Sequence, residues 1–222
     1  MIRLYAIYGA SGCGRSLMPI ARQQLARLNE QSELVFIDDA LNEIRLINGH
    51  RAMNYQTFLH TAATEKFVQI AIANSRIREE IANRLKADGV LLWSIAADNC
   101  VVMDEVQMDA GSAISPFVTI GSNVKIGTCF HANLYSYVEH DCVIGDYVTF
   151  APAVKCNGNI QIHDHAYIGA GAVIKQGSAD QPLVIGKAAV IGMGAVVTKS
   201  VPAGATVVGN PARIIRQNPS KE

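Results

Sequence analysis

Histidine beside a carboxylate is the simplest side-chain pair that can move a proton at neutral pH, and His140-Asp141 is the pair of that kind in a setting that makes chemical sense. The carboxylate fixes the imidazole tautomer and stabilises the protonated ring, so the other nitrogen can serve as a general base. Glu139 is a second candidate for the partner. The other histidines are His50, His60, His131, His163 and His165. His163-Asp164-His165 invites a metal reading, because alternating residues of a strand can chelate. No third ligand recurs at matching spacing, so a polar turn is expected and no metal. The five cysteines (Cys13, Cys100, Cys129, Cys142, Cys156) are scattered and form no CxxC pair, which argues against a disulfide framework and a zinc ribbon.

What positions His140 is a repeat. Stepping by six from Val102 meets Met108, Ile114, Ile120, Ile126, Ala132, Val138, Ile144, Phe150, Cys156, Ile162, Ile168 and Ile174, all apolar. The step resumes at Ile185, Ile191 and Val197 after extra residues within the loop-like stretch 177–182. Glycine follows the aliphatic residue at Gly121, Gly127, Gly145, Gly169, Gly186 and Gly192, and a small or β-branched residue stands four places after it, as at Val118, Val124, Cys142 and Val148. Neither the 3.6 period of a helix nor the 2 period of a plain strand produces a strict six. The pattern predicts a parallel β-helix over 101–205, with two inward positions per hexapeptide, glycine easing the tight corners, and three hexapeptides per triangular coil. About six coils fit. His140, two residues after the inward Val138, then lies at a prism corner facing solvent or a neighbouring subunit. Gly158 falls at the same corner one coil along, where its unobstructed N–H could donate to an oxyanion.

The first half has a different pattern. Residues 4–8 are a buried-strand candidate, followed by Gly9-Ala-Ser-Gly12-Cys-Gly14 and by Leu17, Ile20, Ala21, Leu25 and Leu28 at helical spacing, with Pro19 tolerable only in a first turn. A second strand, 34–37, ends in Asp38-Asp39, and a third, 67–72, runs into Asn74 as N-cap of a helix carrying Arg76 and Arg78. That order is half of a Rossmann-like sheet. Its loop is GxxGxG and not the dinucleotide GxGxxG. A tight turn and a phosphate cradle at a helix N-terminus are both open. Acidic residues at a strand end can accept from a ribose or base edge; a solvated loop is the alternative. The domains are expected at 1–98, α/β, and 99–222, all-β.

Composition bounds the rest. Of 222 residues, 50% are hydrophobic and 17% charged, with Lys+Arg and Asp+Glu both 19, so disorder is excluded and nothing favours nucleic acid or an anionic membrane. The opening run lacks the h-region of a signal peptide, and no uncharged stretch has the roughly 18 apolar residues that span a bilayer, so a soluble cytoplasmic protein is expected.

The glycine loop, the F-x-D-D strand end at Phe36–Asp39 and the hexapeptide β-helix together resemble the sialic-acid O-acetyltransferase-like family of hexapeptide-repeat acyltransferases, across essentially the whole chain. That family includes N-acetyltransferases of nucleotide-linked amino sugars, and the stretch 131–152 is most similar to those acting on GDP-perosamine in O-antigen (lipopolysaccharide) synthesis. The resemblance implies left-handed coils, a homotrimer and acetyl-CoA as co-substrate. It also implies that Val201–Arg213 lies near the CoA nucleotide and that the first domain holds the nucleotide-sugar, with Gly9, Gly12 and Gly14 near phosphate and Asp38 or Asp39 near the ribose or base. It assigns catalysis to His140 and Asp141 and a glycine to position 158, and it places Asn133 near the acceptor sugar, where completing a turn is the alternative. Cys13 stands where the family usually has histidine. Thr149 replaces a second histidine of bacillosamine-type members, and threonine cannot act as a base. The expected reaction is direct transfer to a 4-amino group in a ternary complex, without an acetyl-enzyme. Two rivals are a sugar O-acetyltransferase of the same fold and a non-catalytic nucleotide-sugar-binding protein.

Overall fold

A computed structural model describes residues 2–28 and 31–217. The chain divides into two compact units, Met1–Asp98 and Asn99–Glu222.

In the first unit the elements run β1 (Arg3–Tyr8), α1 (Gly12–Ala26), β2 (Ser32–Ile37), β3 (Arg45–Ile47), β4 (His50–Met53), α2 (Tyr55–His60), β5 (Lys66–Ile70), α3 (Ser75–Ala87) and β6 (Leu91–Leu92). The sheet order is β3-β4-β2-β1-β5-β6, parallel except for the β3–β4 hairpin. Order reverses at β1, with β2 on one side and β5 on the other. The crevice beyond the carboxyl ends of β1 and β5 is therefore the place where such sheets receive ligands. β1 is buried on both faces from Leu4 to Tyr8, as its continuous apolar run demands. Asn74 does cap α3, its side chain accepting from the N–H groups of Arg76 and Ile77. Three expectations need correction. Helix α1 begins at Gly12, so Pro19 sits in its interior and not in its first turn. Pro19 is exposed, and the Arg15 carbonyl that loses its N–H partner can turn to water. Leu28 lies beyond the helix and is exposed. The third strand ends at Ile70, and the β3–β4 hairpin and α2 are elements that the sequence pattern does not predict.

The second unit is a triangular prism of short parallel strands. Tyr137 pairs with Lys155 and Lys155 with Val173, one full coil of eighteen residues at each step. The next step, Val173 to Val196, is five residues longer and takes in the loop 177–182. The two inward positions of each hexapeptide are buried together, as in Val118 with Ile120, Cys142 with Ile144 and Ala172 with Ile174. The periodic set enters the core from Ile114 onward. Val102 is 50% exposed and Met108 half-buried, so the first two members do not belong to it fully.

The corners are made differently from expectation. Positive φ recurs every six residues from Glu105 to Gly171, at Glu105, Gly111, Phe117, Asn123, Cys129, Tyr135, Asp141, Tyr147, Ala153, Asn159, His165 and Gly171, and only Gly111 and Gly171 of these are glycine. The glycines of the repeat do not need left-handed backbone; they need thinness. A Cβ on Gly145 would lie 2.7 Å from the Asp164 nitrogen, and one on Gly186 2.3 Å from the Ala203 nitrogen, both on the next coil. Gly186→Ala is expected to cost about 1–3 kcal/mol by forcing two coils apart. Gly194→Ala meets no atom within 4 Å and, at φ +65°, should lose only about 1 kcal/mol to left-handed backbone. Urea unfolding of both variants checks the order; equal losses would contradict close coil approach as the reason for the repeat glycines.

Candidate active site

His140 occupies the corner between the strands Tyr137–Val138 and Val143–Ile144. Its backbone is held in the stack: the Glu139 N–H donates to the Cys156 carbonyl at 2.8 Å and the Asn159 N–H to the His140 carbonyl at 3.1 Å. The side chain is 56% exposed. Asp141 follows at φ +58°, a conformation that Asp tolerates better than most residues. Its Oδ2 lies 2.7 Å from His140 Nδ1. A carboxylate can only accept, so Nδ1 carries the proton and the Nε2 lone pair is left open. The other oxygen, Oδ1, accepts from the side-chain amide of Asn123 at 3.3 Å. The hydrogen bond to Asp141 holds the His140 pKa above the ordinary histidine value; slight burial opposes it, and the charges of Asp141 and Glu139 add to it. The result is a stronger base than free imidazole.

Gly158 lies against the ring. A Cβ there would come within 2.6 Å of His140 Cε1 and 2.7 Å of Nε2, so any side chain would displace the imidazole. Among the described residues the Gly158 N–H donates no hydrogen bond, while its carbonyl accepts from Gly177 at 3.0 Å. His140, Asp141 and Gly158 are thus brought together. Asn133 is not at this corner. It follows the strand His131–Ala132, and its side-chain amide donates to the Phe150 carbonyl of the next coil at 2.7 Å. Thr149 is buried within the strand Thr149–Phe150. Nearby thiols are poorly placed for attack: Cys142 and Cys156 are fully buried, and the hydrogen bond that Cys156 donates to the Cys142 sulfur, with burial, pushes the Cys156 thiol well up.

The segment His163–His165 builds a polar turn. Asp164 Oδ1 accepts from the Asp146 N–H at 3.1 Å and its Oδ2 pairs with Lys187 at 3.3 Å, while His165 is buried and stacks on Tyr147. Burial would raise the Asp164 carboxyl, yet the Asp146 N–H and Lys187 outweigh it and lower the pKa. No group of three His, Cys, Asp or Glu side chains among the described residues is placed to hold a metal.

In the first unit, the three loop glycines have separate reasons. Gly9 has φ +106°, and a Cβ on Gly14 would lie 1.8 Å from the Gly9 carbonyl oxygen, so helix α1 can start only where that atom is missing. Gly12 faces open space and opens the helix, whose N-cap Ser11 makes no side-chain cap. The first N–H groups of α1 are thereby left without a side-chain cap. Asp38 braces this loop, accepting from the Ala40 N–H at 3.1 Å and the Ala10 N–H at 3.4 Å. Asp39 turns to another cluster: Oδ2 accepts from the Tyr8 hydroxyl at 2.6 Å and from Arg84 at 3.2 Å, and Oδ1 from the Tyr55 N–H at 3.3 Å. Burial opposes ionisation of Asp39, but the hydrogen bonds from Tyr8 and Arg84 prevail and lower its pKa. Arg84 also contacts the Tyr8 hydroxyl and lies 4.4 Å from the Tyr55 ring centre. Burial and the hydrogen bond to Asp39 push the Tyr8 phenol up, and Tyr55 rises likewise with Asp88. Tyr8, Tyr55, Arg84 and Asn123 escape a reading of the sequence, since no motif marks them. Of these only Asn123 had a usable signal, its position one coil before Asp141.

Residues 5–85 match the PglD N-terminal domain family. The GDP-perosamine N-acetyltransferase of Escherichia coli O157:H7 is 50% identical over 220 residues, 99% of each chain. The structure of WeeI from Acinetobacter baumannii AYE superposes with a TM-score of 0.92 at 57% identity, over 96% of this chain and 100% of that one. The acetyltransferase domain of PglB from Neisseria gonorrhoeae FA1090, solved in complex with acetyl coenzyme A, gives 0.82 at 26% identity, over 96% and 98%. This chain belongs to the hexapeptide-repeat acyltransferase family, and its prism is the left-handed β-helix of that family.

The Asp141 bond makes a direct prediction. Asp141→Asn should lower the His140 imidazole pKa toward the ordinary histidine range, because the charge and the strong acceptor are both lost. An NMR titration of the ring checks it; an unmoved pKa would show that the 2.7 Å contact does not persist in solution.

Proposed function

We propose that this protein transfers the acetyl group of acetyl-CoA to the 4-amino group of a nucleotide-linked 4-amino-4,6-dideoxysugar, with GDP-perosamine favoured, for surface-polysaccharide (O-antigen) synthesis. The observation that carries the chemistry is the His140–Asp141 hydrogen bond over Gly158. The sugar is supported by the 50% identity to the Escherichia coli enzyme along nearly the full length of both chains, and the donor by the acetyl coenzyme A complex of the PglB domain.

In this reading His140 Nε2 takes a proton from the amine as its nitrogen attacks the thioester carbon. The Gly158 N–H holds the oxyanion, the C–S bond breaks, and the proton passes from His140 to the departing thiolate. Asp141 keeps Nδ1 protonated throughout. The Asp38-braced glycine loop and the first N–H groups of α1 would receive the diphosphate. Asp39 is held by Tyr8, Tyr55 and Arg84, so it would act through a shared polar surface with them and not as a lone acceptor. At the far end of the prism, Lys199 and Arg213 line a cavity of about 390 Å³ with Val197 and Pro202, which suits the phosphates of CoA. Asn133 spends one N–H of its amide on the Phe150 carbonyl and would offer the acceptor sugar its second N–H and its side-chain oxygen.

The active species in this proposal is a homotrimer. His140 stands on a convex, exposed edge, which alone cannot surround a long cofactor, whereas neighbouring prisms form grooves. Phe117 and Tyr135, stacked at 4.9 Å and 53% and 61% exposed, supply apolar surface for such packing. No described helix is long and apolar enough to cross a membrane, and we place the enzyme in the cytoplasm with its CoA donor.

His140→Ala is expected to lower turnover by about 10²–10⁴-fold while the fold is kept. The assay follows thiol release from acetyl-CoA with GDP-, UDP- and dTDP-linked 4-amino sugars beside hydroxyl-only analogues. Turnover of the analogues alone would make this an O-acetyltransferase; near-normal turnover in the folded variant would remove His140 from catalysis. Sedimentation equilibrium at assay concentration should give the mass of three chains, and an active single chain would overturn the groove.

A further inference from the structure

We infer that Asn123 is a positioning residue of the transfer reaction, the outermost member of a chain Asn123–Asp141–His140 that reaches across two coils. The inference rests on the reading of His140 as the base. Asn123 Nδ2 donates to Asp141 Oδ1 at 3.3 Å, and Asp141 Oδ2 accepts from His140 Nδ1 at 2.7 Å, so each carboxylate oxygen has one side-chain donor.

Corner geometry alone does not ask for asparagine. The same left-handed conformation is held by Phe117, Tyr135, Tyr147 and Ala153 elsewhere in the prism, so the backbone at φ +59° is satisfied by many side chains. Nor is the bond the usual way a corner carboxylate is held here. Asp146 and Asp164 accept backbone N–H groups, from Thr128 at 2.8 Å and from Asp146 at 3.1 Å. Asp141 has no backbone donor among the described residues; its partners are the two side chains. Asp141 is 48% exposed, and with one partner its carboxylate could turn about χ1 toward water. The second bond, from a neutral amide one coil away, removes that freedom without placing a competing positive charge beside the imidazolium. The backbone N–H of Asn123 goes to the Asp104 carbonyl, as those of Asp141 and Asn159 go to Ser122 and His140, so the side-chain bond is additional to the pattern of the corners. The Asn123 amide therefore fixes the carboxylate, the carboxylate fixes the proton on Nδ1, and Nε2 stays open as the base.

The test uses the full-length enzyme with Asn123→Gly, since glycine is at ease at positive φ and the corner is kept while the amide is lost. Nitrogen-15 NMR of the imidazoles reads the His140 tautomer, and steady-state kinetics reads turnover, with His140→Ala alongside. The wild type should show the Nδ1–H form. Asn123→Gly should show a mixture with Nε2–H and a turnover lower by roughly 3- to 10-fold, the size of one hydrogen bond, with both KM values unchanged. An unchanged tautomer in Asn123→Gly overturns the inference whatever the turnover, and leaves the role of His140 to its own variant. A shifted tautomer with full turnover, or full turnover in His140→Ala, would instead remove His140 as the base and the inference with it.

Discussion

Hydrogen bonds between residues one coil apart are what everything in the second unit hangs on. Because Tyr137 pairs with Lys155 and Val143 with Gln161, each position of the hexapeptide is stacked on its own equivalent, and a property placed at one corner is repeated up one edge. The stack leaves little room. Where successive corners approach, a Cβ on Gly127, Gly145 or Gly186 would meet backbone of the next coil at under 3 Å. Thinness at one position and left-handed backbone three residues after the aliphatic one are separate demands, met by different residues.

The active corner uses that same stacking three times over. Residues 123, 141 and 159 lie in one column and 140 and 158 in the neighbouring one, so Asn123 can reach Asp141 and Gly158 can lie under His140. One well-placed carboxylate on an exposed corner does most to raise the basicity of the imidazole, with the Glu139 charge adding to it, and that carboxylate also sets the direction of the ring. The rest of the prism supplies rigidity. Its core is apolar and continuous, so the corner's backbone is held on both sides by coils that cannot shift independently.

The first unit solves a different problem with a comparable economy of space. Its glycine loop is pulled tight against Ala71 and Ile72, just after β5, and against the start of α1, and Asp38 ties the loop to the end of β2. Asp39, one residue on, belongs to a separate cluster in which an arginine lies over two tyrosine rings and both phenols are driven further from ionisation. Adjacent carboxylates thus have divided tasks, one bracing the loop and the other anchoring an aromatic surface.

Periodicity is a local property, and the sequence by itself determined its direct consequences: the prism, its inward positions from Ile114 onward, the insertion after Val173, and the stacking of Gly158 on His140. The strand–glycine loop–helix opening of the first unit was equally legible, from a buried apolar run and the glycines after it. Counting by six and by eighteen is enough for the prism, because the lattice converts separation along the chain into distance in space. Pro19 departs from expectation because propensity sees a missing N–H but not the solvent that satisfies the carbonyl it leaves. The repeat glycines stand where the pattern puts them but for another reason, since a close approach between coils cannot be seen from one coil. Only the tertiary structure decided that Asn133 turns its amide to the Phe150 carbonyl, that Asn123 donates to Asp141, and that Tyr8, Asp39, Tyr55 and Arg84 meet. The first two depend on which way a side chain turns within a known lattice. The last joins residues 31 and 45 positions apart through a sheet whose strand order no period encodes.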